Sequence, residues 1–175
     1  MLKIGIGSCC QQVYWLSEVG HTVHEATPDI VPLQVKEQWV KDLAGTTVEP
    51  MKITFTSIGG DTVSRKGRLL FTHFGLSGPL ILNSANDVKA LLKDGPVATV
   101  IDLLPELDPT EADRHVLSVF DRNKNKLVRT VIKQLVPTGM ARALVALVPP
   151  DLQERKVNVM TQQERKQLVQ ILKNL

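Results

Sequence analysis

The period of the hydrophobic pattern changes once along this chain, at Pro105, and that change constrains the fold more than any other feature. Between His21 and Leu104 short β-favouring runs dominate: His21–Glu25, Ile30–Val35, Val48–Ile58, Thr62–Phe74 and Val97–Leu103. Beyond Pro105 apolar residues recur every three or four positions, the spacing of a helix that buries one face. The pattern predicts an α+β chain, with sheet over 21–104 and a compact helical subdomain over 105–175.

The sheet half carries a register signal. Met51, Ile53 and Phe55 occupy odd positions, as do Val63, Leu69 and Phe71 across the Gly59-Gly60 break. Both sets share one face of an antiparallel pair only if opposed positions sum to an even number, which requires an odd-length connection. A loop of three or five residues is predicted there. One helix should interrupt the strands, from about Gly78 to Lys93, because Ile81, Ala85, Val88 and Leu92 recur at helical spacing. Ser77 is its predicted cap and Gly95-Pro96 its terminator.

Four helices are implied in the second half. Asp108-Pro109-Thr110-Glu111 reads as a capping box with proline at the first helical position, ahead of Ala112, Val116, Leu117 and Phe120. The next stripes are Leu127, Val128, Val131, Ile132 and Leu135, then Met140, Ala143, Leu144 and Leu147. The last, Leu168, Leu172 and Leu175, follows a second capping box at Thr161-Gln162-Gln163-Glu164.

Composition removes several function classes. With 43% hydrophobic and 22% charged residues and a mean hydropathy near zero, the chain is neither disordered nor fibrous. No apolar stretch has membrane-spanning length and no signal-peptide pattern opens the sequence, so no membrane partner and a cytoplasmic location are expected. Cys9 and Cys10 are adjacent, which argues for a reducing compartment and against a zinc site. His21 and His24 stand three apart in a predicted strand and should point to opposite faces, so no metal is expected.

Charge is uneven. Residues 1–120 carry 10 Lys and Arg against 14 Asp and Glu, whereas residues 121–175 carry 11 against 4. One reading is a stand-alone binding module whose basic helices, through Lys124, Lys126, Arg129 and Lys133, engage nucleic acid or an acidic protein. Solvated faces of amphipathic helices account for the same charges, and the helical spacing without interleaved aromatics favours them, so nucleic acid is not expected as a partner.

No P-loop, Gly-x-Gly-x-x-Gly, Cys-x-x-Cys or His-Glu-x-x-His occurs. Gly5-Ile6-Gly7 lacks the third glycine of a dinucleotide fingerprint. A hydrolase triad of Ser77, His73 and Asp102 has no nucleophile elbow around the serine. The segment that stands out is Leu69-Leu70-Phe71-Thr72-His73-Phe74-Gly75-Leu76-Ser77-Gly78-Pro79, running from a strand into a helix, where backbone N–H groups become available to an anion or an electron-rich ring edge. It serves equally as a tight turn, with Gly75 and Gly78 for its bends, Ser77 as cap and His73 as a hydrogen-bonding brace.

The run at residues 69–79 resembles the signature of the BaiN/YhiN-like flavoproteins, NAD(P)/FAD-dependent oxidoreductases of bacteria. Gly20-His21-Thr22, Val31-Pro32-Leu33, Ile101-Asp102-Leu103-Leu104-Pro105 and the ending Leu168–Leu175 follow in the family's order, so the resemblance covers about residues 14–175. It implies the insert of a sequence-split FAD-binding Rossmann domain: a β-rich, barrel-like part with one helix over 21–104, the helical part over 105–175, and residues 1–20 as a divergent remnant of the junction with the flavin domain. Gly7-Ser8 and Tyr14-Trp15 sit where the family has a Gly-Ser and an aromatic pair around its flavin-side loop, while Cys9–Val13 do not match that loop; a divergent paralogue or a truncated or frameshifted reading frame would look like this, and the second, a fragment without activity of its own, is the expectation.

The resemblance implies an insert that covers the flavin on its substrate side. FAD belongs to the full-length family and none is expected bound to this chain. Loop chemistry makes Thr72, His73, Phe74, Gly75, Ser77 and Gly78 the candidate flavin- or substrate-facing residues, with His73 a hydrogen-bond donor or proton-transfer group. The expected partners are the Rossmann portion and, through an exposed strand edge, a second copy of the chain.

Overall fold

The structure, a computed structural model, describes Val19–Gly20, Thr22 and residues 31–175. The predicted strand His21–Glu25, the pairs Cys9/Cys10 and His21/His24, and the divergent block Cys9–Val13 lie outside the described residues or largely so. Five strands form one curled antiparallel half-barrel: β1 (Leu33–Gln34), β2 (Thr47–Thr56), β3 (Thr62–Thr72), β4 (Gly75–Ser77) and β5 (Ala98–Asp102), in the order β1-β4-β3-β2-β5. β1 and β5 are its two edges.

The β2–β3 hairpin has the predicted parity. Phe55 opposes Val63 and Thr56 opposes Thr62, leaving the five residues Ser57–Asp61 as the connection. Ser57 closes that loop: its N–H donates to the Asp61 carbonyl at 2.9 Å and its hydroxyl accepts from the Asp61 N–H at 3.1 Å. Between Val48 and Met51 the register slips by a bulge, since β2 advances three residues while β3 advances two, from Leu69 to Gly67. The bulge brings even-numbered Val48 onto the same buried face as Met51, Ile53 and Phe55.

Two short elements escape the hydrophobic period. Helix α1 (Gln38–Asp42) buries only Val40, with Leu43 just beyond it, and β4 is a three-residue strand where the turn was predicted to lead straight into a helix. The single helix predicted over Gly78–Lys93 is two, α2 (Pro79–Leu82) and α3 (Ala85–Leu91), then a 3₁₀ turn at Leu92–Asp94. Ser84 marks the break, its buried hydroxyl donating to the Leu80 carbonyl at 2.7 Å, a back-bond that bends helices. Ser77 does not cap: it ends β4 opposite Leu70, and Gly78 holds the N-cap position without a side-chain bond.

Both predicted capping boxes form. Helix α4 (Pro109–Asp121) starts on Asp108, whose carboxylate accepts from Thr110 and Glu111 N–H at 2.7 and 2.8 Å while Glu111 accepts from the Asp108 N–H at 2.9 Å. Helix α8 (Gln162–Lys173) starts on Thr161 and Glu164 in the same way, and the Thr161 N–H and hydroxyl, both donating to the Glu164 carboxylate, at 2.8 and 3.0 Å, hold it below the usual carboxylate range. Between them Pro137, Gly139 and the Pro149-Pro150 pair divide the two middle stripes into α5 (Val128–Val131), α6 (Ala141–Leu147) and α7 (Pro150–Gln153), with 3₁₀ turns at Ile132–Gln134, Thr138–Met140 and Val157–Val159. On α4 the core takes Val119 rather than the predicted Leu117, which is 40% exposed: the stripe steps 112, 116, 119, 120 and leaves 117 rotated outward.

Sheet and helices share one continuous apolar core, from Leu33 and Phe55 to Val128 and Leu172. Helix α8 is strapped across it. Arg165 makes a bidentate pair with Asp113 of α4, at 2.7 and 2.9 Å. Lys173 donates to Asp102 at 2.6 Å and to the carbonyls of Leu104 and Leu107 at 2.9 and 2.6 Å. Backbone bonds add Leu103 N–H to Leu172 and a reciprocal pair between Ile101 and Leu175.

The Arg165 strap has a pH signature. The hydrogen bonds and charge of Arg165 hold the Asp113 carboxyl below its ordinary 3.8, against the opposing effect of burial, and Asp113 in turn raises Arg165. A depressed folded-state pKa contributes stability that is present above the unfolded value and lost as pH falls through the folded one. The stability gap between the wild type and Asp113→Asn should therefore be constant near neutrality and close below about pH 4 in thermal melts. A gap that persists in acid would mean the pair acts through packing alone.

Candidate functional site

The conspicuous segment is a strand–turn–strand unit. Thr72 ends β3, His73 and Phe74 make a two-residue turn, and Gly75 opens β4 opposite Thr72. The Thr72 hydroxyl locks the turn, donating to the Gly75 carbonyl at 3.0 Å and accepting its N–H at 3.1 Å. The Phe74 carbonyl accepts from Val35 N–H at 3.2 Å, which fastens β1 beside β4. His73 is exposed and packs edge-on against the half-buried Phe74, ring centroids 4.9 Å apart.

Both glycines answer to close approach. At Gly75 (φ +155°) an added Cβ would overlap the Leu33 carbonyl and lie 2.8 Å from Val35 N. At Gly78 (φ +92°) it would lie 3.0 Å from Leu70 N and 3.2 Å from the Arg68 carbonyl. The glycines admit the chain's own backbone, and with Gly75 N–H already bonded the segment is not the open set of donors that the sequence suggested. Helix α2 behind it has only four residues.

The triad does not assemble. Asp102 is engaged by Lys173 and by the Leu104 N–H at 2.9 Å, Ser77 lies half-buried at the end of β4, and His73 faces solvent. The ion partner of Asp102, a lysine from the last helix, was not legible in the sequence because 71 residues separate the two.

Beside the segment, a groove of about 330 Å³ lies between the edges of the half-barrel. Gln34, Val35 and Trp39 form one wall, Thr99 and Ile101 the other, and Leu76 of the candidate segment reaches it from β4. Trp39 also packs on Phe71, ring centroids 6.2 Å apart. Ile101 exchanges both backbone bonds with Leu175, so its N–H and C=O turn away from β2, and by two-residue alternation those of Thr99 turn the same way, toward the groove. A second groove, apolar and of about 350 Å³, lies among the helices between Val128, Val148, Leu152, Met160, Leu168 and Ile171.

A diphosphate is held by a glycine-rich turn opening a helix, and at Gly75 and Gly78 of the candidate segment the space beside the backbone is filled by neighbouring strands. Among the described residues no cluster of three His, Cys, Asp or Glu is placed to bind a metal, and no helix is long and apolar enough to cross a membrane.

Comparison with protein families matches residues 27–175 to the one described as HI0933-like protein barrel and H2TH domain. The curled sheet and the several helices of the structure agree with that description. No curated protein matches the sequence.

Proposed function

Starting from the chain's membership of the HI0933-like barrel and H2TH domain family of flavoproteins, we propose that it forms the flavin-covering, substrate-side insert of an FAD/NAD(P)-dependent oxidoreductase. In this reading the dinucleotide is held by a Rossmann portion that these residues do not contain, and this chain alone has no activity. The observation that carries it is the match of residues 27–175 to the barrel and H2TH domain of this flavoprotein family, which spans both the curled sheet and the helices. A flavin enzyme divides labour in this way: the cofactor performs the redox chemistry, and the protein orients, excludes water and tunes charge.

The His73-Phe74 turn is the part of this chain offered to such an assembly. Its His73 ring is exposed and carries the only exchangeable ring proton of the segment, and the turn is fixed from below by Thr72 and Val35. Its role is to place a hydrogen-bond donor over the flavin or substrate.

The test is titration of the purified chain with FAD, followed by flavin fluorescence and absorbance. The expected result is no binding up to high micromolar FAD. Tight, stoichiometric binding would show that the chain holds the cofactor by itself and would overturn the division of labour proposed here.

A further inference from the structure

The half-barrel is open between its edge strands β1 and β5, and alternation along the ladders says which backbone groups face the opening. Phe71 exchanges both bonds with Gly45 and Thr46, away from β4, so Leu76 opposite it turns its N–H and C=O to β1. Val35 N–H reaches the Phe74 carbonyl, which puts Leu33 and Val35 in bonded positions and turns Gln34, between them, away from β4. On the other side Ser57 N–H bonds the Asp61 carbonyl, so Phe55 is bonded to β3, and Thr99 opposite Phe55 turns away from β2. The N–H and C=O groups of Gln34 and Thr99 have no partner among the described residues, and both residues line the groove of about 330 Å³.

The two edges suit one and the same strand. Four antiparallel pairings lead from β1 to β5, so these two run in the same direction and a single strand between them is antiparallel to both. Leu175 already makes one rung of that kind by its reciprocal bonds with Ile101, two residues along β5 from Thr99. The pleat agrees as well. Thr99 opposes the fully buried Phe55 and so takes the inner face, whereas the Gln34 side chain is exposed. In an extended segment, a residue bonded to Thr99 points its side chain inward, and its neighbours, whose amides turn the other way, bond Gln34 and point outward. The buried side chains of Val40, Leu76 and Ile101 give the inward residue an apolar floor.

Unpaired edges are templates for strand addition, in which main-chain bonds supply affinity and alternate side chains supply specificity. We propose that this slot takes an extended segment of a partner protein as an added strand, antiparallel to β1 and β5, with an apolar residue inward at Thr99 and polar neighbours outward at Gln34. The inference does not depend on the flavoprotein reading.

The test is fluorescence anisotropy of a labelled peptide, Lys-Thr-Val-Thr-Val-Thr-Lys, titrated with the chain, alongside amide hydrogen exchange followed by NMR. The Gln34 and Thr99 amides should exchange freely in the chain alone and slow at least tenfold with saturating peptide. A peptide N-methylated at both valines should bind about tenfold more weakly or worse, because the donors to the Thr99 carbonyl are gone. Thr99→Pro should keep its circular dichroism spectrum, since an edge strand tolerates proline where the N–H faces away from the sheet, and should lose binding to the same extent. If Thr99→Pro does not fold, Gln34→Pro serves in its place. Four results would each overturn the proposal: no binding, binding indifferent to N-methylation and proline, Gln34 and Thr99 amides already slow in the chain alone, or protection that appears with chain concentration instead of peptide.

Discussion

Gly75→Ala should be among the most damaging single changes in this chain, at about 3 kcal/mol of stability or a melting temperature lower by about 10 °C. The new methyl group would enter the space of the Leu33 carbonyl and crowd Val35 N at 2.8 Å and Gln34 Cα at 3.1 Å, so β1 must leave β4 or the turn must reopen. Either way Leu33, 1% exposed, loses its cover, and the groove loses the wall formed by Gln34, Val35 and Trp39. The paired control is His73→Ala, two residues away on an exposed ring, which should cost less than about 0.5 kcal/mol. Thermal melts of the two variants would decide the matter: equal losses would mean that the turn, and not the approach of β1, sets the requirement for glycine.

Lys173→Met should lower stability by a comparable amount, about 3 kcal/mol. The ammonium satisfies one carboxylate oxygen and two carbonyls at a site where both ionic side chains are 14% exposed. Without it the Asp102 carboxylate stays largely out of water with only the Leu104 N–H as partner. Asp102→Asn should be milder, about 1–2 kcal/mol, because Lys173 keeps the carbonyls of Leu104 and Leu107. The double variant should therefore be more stable than Lys173→Met alone. Denaturant titrations of the three variants form the cycle, and simple additivity of the two single losses would show that the pair is not coupled.

What could be read from the sequence was what depends on neighbours along the chain. The two capping boxes are closed within four residues, and the parity of the β2–β3 loop follows from the alternation of Met51, Ile53 and Phe55 with Val63, Leu69 and Phe71. What was missed is either too short to show a period, as with α1 and β4, or decided by one side chain, as with the Ser84 back-bond that splits the expected helix. The candidate segment divides along the same line. Its turn was visible from Gly75 and Gly78, whereas the strand that makes Gly75 obligatory lies some forty residues earlier and the lysine that occupies Asp102 lies far downstream.

The bulge between Val48 and Met51 bears on how such a sheet tolerates insertions and deletions. Elsewhere along β2, removing one residue exchanges inside for outside in everything beyond it, and Phe55 or Met51 would be turned to water. At Glu49-Pro50 the count is already uneven, three steps against two. Loss of Pro50 would leave two against two, a regular ladder with Val48 and Met51 still facing inward and Glu49 still beside Arg68. Relatives that differ in length by one residue within this hairpin should differ there, and a designer shortening the strand should cut at the same place.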